Sequence, residues 1–285
     1  AFYGVAPNAA LPIQSTPVSY SFNVNLSGPQ TLAQDVTVNL AVDPTVLTTY
    51  NAANGTTYKA LPASLYQLVS TSTTIKAGQR LAPVSINFST GSDKIADPVA
   101  FNDANYALPV RVTGTSNNLA VSSNYGYKII LLKLKNKYDG VYTPTGTLVD
   151  VTNPAFISLA SAGKPVEYTL ETVSATKCVL VDNQYFTPGT RIALFWTGTA
   201  VSGYGSFSPV IEFDPVTNKI VSVTNYYGVP ANTRTAQLDP TGVNTFDPAT
   251  RTIRIKYQMR QPSVVAAAPN IRTIWNETWT FLRER

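Results

Sequence analysis

Residues 19–28, SYSFNVNLSG, alternate strictly: Tyr20, Phe22, Val24 and Leu26 fall on one side and polar residues on the other. Residues 34–43, QDVTVNLAVD, do the same with Val36, Val38, Leu40 and Val42. A period of two predicts a half-buried strand. The period changes once, in DPTVLTTYNAANG (43–55). Asp43 is a good N-cap, Pro44 suits a first helical position, and Val46, Leu47 and Tyr50 make a helical stripe that Asn54-Gly55 ends. A helix of about three turns is too short to stand alone in water, so it must dock on the sheet, capping one end of it or covering an edge. YQLVSTSTTIKAG, LAPVSINFS, YALPVRVTG and the apolar run YGYKIILLKLK (125–135) then predict further short strands. Several short strands with turn signals between them predict an immunoglobulin-like β-sandwich carrying one short helix over residues 1–135.

The segment NKYDG (136–140) is polar and turn-prone, and the domain boundary is placed there. Residues 136–285 then restart the strand pattern with GVYTPTGTLVD, VEYTLETVS, TKCVLVD and RIALFWTG. Two later segments share an opening, FDPVTNKI (213–220) and FDPATRTI (246–253). In Asp-Pro-x-Thr the Asp caps a turn and Pro presets φ, which predicts two equivalent strand-turn-strand corners. RTIRIKYQMR (251–260) places Ile253, Ile255, Tyr257 and Met259 inward, and the last strand is IRTIWNETWTFLRER. About eight strands in this half predict an antiparallel barrel of lipocalin or calycin type, or a second sandwich. The whole chain is therefore all-β, with domains at 1–135 and 136–285.

Composition narrows the chemistry. Only 13% of the 285 residues are charged and 44% are hydrophobic, which suits β-structure with real cores. No run approaches the ~18 apolar residues that a membrane-spanning helix needs. The net charge of +5 is diffuse: residues 1–135 carry 8 Lys/Arg against 5 Asp/Glu, and residues 136–285 carry 13 against 11. That argues against a nucleic-acid interface, which wants a concentrated basic face. Histidine is absent, which removes Ser-His and Cys-His catalysis and most catalytic zinc sites. The single cysteine, Cys178, lies in an apolar run and reads as a buried thiol. Asp93, Asp97 and Asp103 match no calcium-loop spacing. No cofactor is implied.

The stretch from VTVNLAVDPTVLTTYNAANGTTYKALPASLYQL through STTIKAG to YALPVRV carries a resemblance. With Tyr50-Asn51, Gly55-Thr56, Tyr58, Leu61-Pro62, Tyr66, Ile75-Lys76-Ala77-Gly78 and Tyr106-Ala107-Leu108-Pro109, it resembles the N-terminal β-sandwich module of Bacteroidetes surface lipoproteins linked to polysaccharide utilisation. The resemblance covers most of residues 35–113. That module precedes varied C-terminal domains, some of them surface endo-β-N-acetylglucosaminidases and others lipocalin-like barrels without activity. The second half resembles the barrel-like partner. The family's glycosidases carry a D-x-x-D-x-D-x-E run that this sequence lacks, so their activity does not carry over. The resemblance implies a lipid-anchored protein at the outer membrane and cell surface, or in the periplasm, with its lipidated cysteine upstream of Ala1. Its partners would be oligo- or polysaccharides and other surface glycan-utilisation proteins, with no nucleic acid and no membrane contact beyond the anchor.

The aromatics of the second half are the candidate ligand residues. Trp275, Glu277, Trp279 and Phe281 share one face of the last strand, where two flat rings about 13 Å apart could stack on sugars while Glu277 accepts a hydroxyl. The competing reading makes that face the barrel interior, with Glu277 paired to an arginine. Trp196 and the Gly/Ser-rich loop after it, with Tyr204 and Phe207, form a second candidate group, and Tyr226-Tyr227 at a hairpin end a third. Each also reads as a plain turn or packing residue. The same-parity carboxylates Glu212/Asp214 and Glu167/Glu171 have no acid-shifting context. The expectation is thus a non-catalytic glycan-binding or accessory protein. The alternatives are a structural or adhesive surface protein without a small ligand and, third, a glycoside hydrolase.

Overall fold

The computed structural model describes residues 6–285. The chain forms two compact units, Ala1–Lys135 and Asn136–Arg285.

The first unit contains the strands β1 (Asn8–Pro12), β2 (Val18–Asn25), β3 (Val36–Val42), β4 (Lys59–Ala60), β5 (Tyr66–Leu68), β6 (Ser72–Ile75), β7 (Leu81–Phe88), β8 (Tyr106–Thr115) and β9 (Tyr127–Lys135), with the helices α1 (Thr45–Asn54) and α2 (Pro98–Asp103). One sheet runs β1-β9-β8-β3-β6, with β4 added to β8, and a smaller one runs β2-β7-β5. Val36, Val38, Leu40, Leu108, Val110, Ile130 and Leu132 of the first meet Val84, Ile86 and Phe88 of the second in one core. β1 lies parallel to β9, in the register Asn8↔Leu131 to Pro12↔Lys135.

The helix begins and ends as its residues dictate. Asp43 Oδ1 accepts the Thr45 N–H at 3.0 Å and the Thr45 hydroxyl at 2.6 Å. Gly55, at φ 63°, takes the left-handed position that closes the last turn. Its docking place differs from the one expected. Val46 and Leu47 pack on Ala107, Ile129 and Leu131. These residues alternate with the inward-facing Leu108, Ile130 and Leu132, so α1 covers the outer face of the sheet rather than an edge or end. This explains why Ile129-Ile130-Leu131-Leu132 is apolar without interruption: both faces of β9 are covered. The tyrosines and asparagine of the motif close the helix locally. Asn51 Oδ1 accepts from Thr56 Oγ1 and the Tyr58 N–H, Asn51 Nδ2 donates to the Tyr58 carbonyl, and Tyr50 stacks on Tyr58. Pro109 lies on a central strand, not an edge. Its carbonyl accepts the Asp43 N–H just past the end of β3, so a proline there costs the ladder no donor.

The second unit contains β10 (Gly140–Asp150), β11 (Tyr168–Thr172), β12 (Lys177–Val181), β13 (Leu194–Trp196), β14 (Val201–Gly203), β15 (Pro209–Phe213), β16 (Ile220–Asn225), β17 (Thr235–Leu238), β18 (Thr245–Asp247), β19 (Thr252–Arg260) and β20 (Ile271–Arg283). The main sheet runs β16-β15-β12-β11-β10-β20-β19-β17, with β18 added to β19. The two Asp-Pro-x-Thr corners bring its edges together. Asp214 Oδ1 accepts the Val216 and Thr217 N–H groups, and Asp247 Oδ1 accepts that of Ala249. Phe246 N then donates to the Asn218 carbonyl at 2.8 Å, and Ile220 N to the Asn244 carbonyl at 2.9 Å. The result is a nearly closed barrel.

NKYDG is not the loose polar connection its composition suggests. Asn136, Tyr138 and Asp139 are buried. Asn136 accepts from the Tyr138 and Asp139 N–H groups and donates to the Ser174 and Lys177 carbonyls. The Tyr138 ring enters the end of the barrel, stacks on Phe213 at 3.8 Å and meets Phe246 edge-on at 4.9 Å. At the other end the β13–β14 hairpin fills the opening, with Leu194, Phe195, Tyr204 and Phe207 all in the core.

The Tyr138 hydroxyl is buried without a hydrogen-bond partner. Tyr138→Ala should therefore cost about 3–5 kcal/mol, the range for emptying a large aromatic site. Tyr138→Phe should be neutral or stabilising, since it removes an unsatisfied group. Urea unfolding of the two variants checks both outcomes.

Candidate functional site

Trp275, Glu277 and Trp279 do share a face of β20, and that face is the barrel interior. Both tryptophans have 0% exposure and Glu277 has 4%. The expectation of a stacking surface here is corrected: neither ring has a free face. Trp275 lies between Tyr257 (4.8 Å, 2° between planes) and Phe207 (5.6 Å, 15°), and Trp279 meets Tyr168 edge-on. Glu277 does not pair with an arginine, as the interior reading had supposed. Its Oε2 accepts Trp279 Nε1–H at 2.8 Å and its Oε1 accepts the Tyr168 hydroxyl at 3.2 Å. Burial pushes its carboxyl from the usual 4.5 up to about 7, although both hydrogen bonds pull the other way.

Tyr204 and Phe207 are corrected likewise. They are core residues of the barrel's plugged end, not an exposed loop. Tyr204 donates its hydroxyl to Asp150 Oδ2 at 2.9 Å. Phe281 is partly buried beneath Arg251, whose guanidinium lies 3.6 Å from the ring centroid. Trp196 is half-buried, with Lys164 Nζ 4.5 Å above its ring.

Tyr226 and Tyr227 are the exposed pair, each at 43%. They lie just after β16, with their rings perpendicular and 5.3 Å apart. Arg191 joins them: its guanidinium sits 4.8 Å from the Tyr226 ring, and its carbonyl accepts the Tyr227 hydroxyl at 3.0 Å. The same guanidinium donates to Glu171 Oε2, and Glu171 Oε1 takes Arg285. Arg285 lines a groove of about 410 Å³ together with Glu167, Thr169, Asn183, Gln184 and Arg283. Arg283 grips Glu167 through two bonds of 2.8 and 2.7 Å, which holds the Glu167 carboxyl below its ordinary value. Asn183 donates to Thr169 Oγ1, and Gln184 Oε1 accepts the Glu167 N–H.

The aromatic pair is outside the groove's lining and is connected to it only through the contacts Tyr226–Arg191–Glu171–Arg285. Volume and lining are of the kind that holds a small polar ligand. The sequence reading placed Tyr226 and Tyr227 but missed Arg191, Asn183, Gln184 and Arg283, which come from separate segments. The one available signal was the turn-rich run DNQYFTPGT (182–190), whose length marks a loop that must cross the barrel wall.

The other chemical candidates have structural duties. Glu212 Oε2 accepts the Ser222 hydroxyl, and Asp214 caps its turn. Asp97 caps α2 by accepting from the Val99 and Ala100 N–H groups. Cys178 is fully buried, its thiol pushed well up by burial and donating to Asn136 Oδ1. Among the described residues no group of His, Cys, Asp and Glu could hold a metal ion, and no helix is long and apolar enough to cross a membrane.

A family model described as "-like, N-terminal domain" matches residues 5–119. A Bacteroides ovatus protein of unknown function is similar over 98% of this chain and 90% of its own, at 13% identity and a TM-score of 0.58. An auxiliary nutrient binding protein from Bacteroides thetaiotaomicron matches over 97% and 90%, at 14% identity and 0.47. EndoBT-3987 of the same organism, solved with a Man5GlcNAc product, matches over 47% of this chain and 30% of its own, at 19% identity and 0.38. No curated protein matches. The family model falls within the N-terminal unit. The Bacteroides ovatus structure shows that the all-β fold of this chain recurs nearly end to end.

The buried Glu277 makes barrel stability depend on pH. Below pH 4.5 the carboxyl is protonated in both folded and unfolded chains, and its full contribution is present. As pH rises from 4.5 to about 7, the unfolded chain loses its proton first, and stability falls. The loss should total about 3 kcal/mol and be complete above pH 7. Glu277→Gln should flatten this dependence and leave the barrel more stable than the parent at pH 8. Thermal unfolding across pH 4–8 checks it.

Proposed function

We propose that this protein is a non-catalytic glycan-binding accessory in polysaccharide capture. It is held at the outer surface of the cell by a lipid anchor outside the chain described, alongside other glycan-utilisation proteins. The observation that carries the reading is the exposed Tyr226–Tyr227 pair with the Arg191 guanidinium against the Tyr226 ring. Tyrosine faces cover the apolar side of a sugar ring at low entropy cost, while planar carboxylate, amide and guanidinium groups take its hydroxyls. The resemblance of residues 35–113 to the surface module supports the setting. The filled barrel favours a second reading, a structural or adhesive surface protein, because tightly packed aromatics leave the interior to no ligand.

Calorimetric titration with a panel of oligosaccharides separates the two readings. Tyr226→Ala should weaken binding about tenfold, with little change in melting temperature because the ring is exposed. Binding unchanged by Tyr226→Ala removes the site from this pair, and no binding by any glycan favours the structural reading.

A further inference from the structure

The N-terminal unit has a pocket of its own. α1 has ten residues and spans about 15 Å, whereas β8, also ten residues, spans about 33 Å. The helix therefore covers only part of the outer sheet face, where Ala107, Ile129 and Leu131 lie beneath it. Further along the same face stand Arg111 and Thr113 of β8, with Arg111 directly opposite Tyr127 of β9. Asp43 at the helix start and the turn Val121–Gly126 wall this uncovered part into a pocket of about 430 Å³.

Its polar groups are arranged and available. Asp43 is pinned through Oδ1 by the Thr45 N–H and hydroxyl, and its Oδ2 accepts Arg111 Nη1–H at 2.9 Å. That is the one side-chain hydrogen bond Arg111 makes among the described residues, which leaves its guanidinium with further donors; the side chain is 54% exposed and lines the pocket. The hydroxyls of Thr113 and Ser123 line the same space. Tyr127 also lines it, partly buried against the cluster beneath α1.

We propose that this pocket is a second saccharide site, selective for uncharged sugars. A fixed carboxylate beside a guanidinium with spare donors reads two adjacent hydroxyls: one oxygen accepts from Arg111, and the next donates to Asp43. The two charges cancel, so an anionic sugar meets Asp43 and a cationic one meets Arg111 at an energetic disadvantage. Tyr127 supplies the face for the ring C–H groups. The proposal takes its ligand class from the glycan reading above but uses none of the same residues.

The test uses the full chain carrying Tyr226→Ala, with and without Arg111→Ala. It is titrated with neutral hexose oligosaccharides and with matched uronic-acid oligosaccharides. The Tyr226→Ala protein should keep a binding event for the neutral series. Arg111→Ala should weaken that event about tenfold or more, with little change in melting temperature, since the Arg111 side chain is 54% exposed and Asp43 keeps its bonds to Thr45. If Tyr226→Ala alone abolishes all binding, or Arg111→Ala leaves the residual binding unchanged, the second site is refuted and the barrel site stands. Uronic-acid oligosaccharides binding better than neutral ones to the residual site would also overturn it. If Arg111→Ala alone abolishes binding, the second site stands and the barrel placement falls. If no neutral oligosaccharide binds the parent protein, both are overturned.

Discussion

The second unit is organised around one ring. Tyr138 lies flat on Phe213 and edge-on to Phe246, and those two phenylalanines belong to the repeated Phe-Asp-Pro openings. Each opening sends its Phe inward and turns the chain through an Asp-capped corner. Because both rings must reach Tyr138, both corners are brought to the same end of the barrel. Only there do β16 and β18 come close enough to exchange the hydrogen bonds that join the sheet's edges. The short echo between residues 213 and 246 is thus a closure device, with one aromatic contact specifying where the barrel's seam forms.

The interior reached from that end has no room to spare. Tyr257, Trp275 and Phe207 form a continuous stack, and the hairpin of β13 and β14 fills the far opening. Into this the chain places a carboxylic acid whose partners are a tryptophan N–H and a tyrosine hydroxyl, with no cation. A barrel so filled leaves only its walls open to a ligand. On the outer surface the charged residues form chains, Tyr226–Arg191–Glu171–Arg285–Asp139 and Glu167–Arg283. Such chains hold long side chains in fixed positions, which lowers the entropy a ligand would otherwise have to remove.

Much of the fold was legible because strand parity is a local property. Ile253, Ile255, Tyr257 and Met259 were assigned inward from alternation alone, and all four are buried. Parity does not say which side is in when both carry polar groups. In IWNETWTF the carboxylate between two tryptophans left two readings, a sugar-stacking face and a barrel interior with Glu277 paired to an arginine. The opposite parity, Asn276, Thr278 and Thr280, held the better signal: three small polar residues make an outer wall, and two tryptophans do not. The docking face of α1 was hidden for a related reason. An unbroken apolar run in β9 reads as a buried strand, without telling that its second cover is a helix some 75 residues earlier in the chain. The two grooves were beyond reach, because each is assembled from segments far apart in sequence.

The parallel pairing of β1 with β9 has a mechanical consequence. These are the first described strand and the last strand of the sandwich, and they run side by side in the same direction over five residue pairs. A pull on the chain before Asn8 and another beyond Lys135 act in opposite senses along the two strands. The ladder is then loaded lengthwise, so its bonds resist together and must fail together instead of opening one after another. Tension carried along the chain would meet its strongest latch at the point where the sandwich begins and ends.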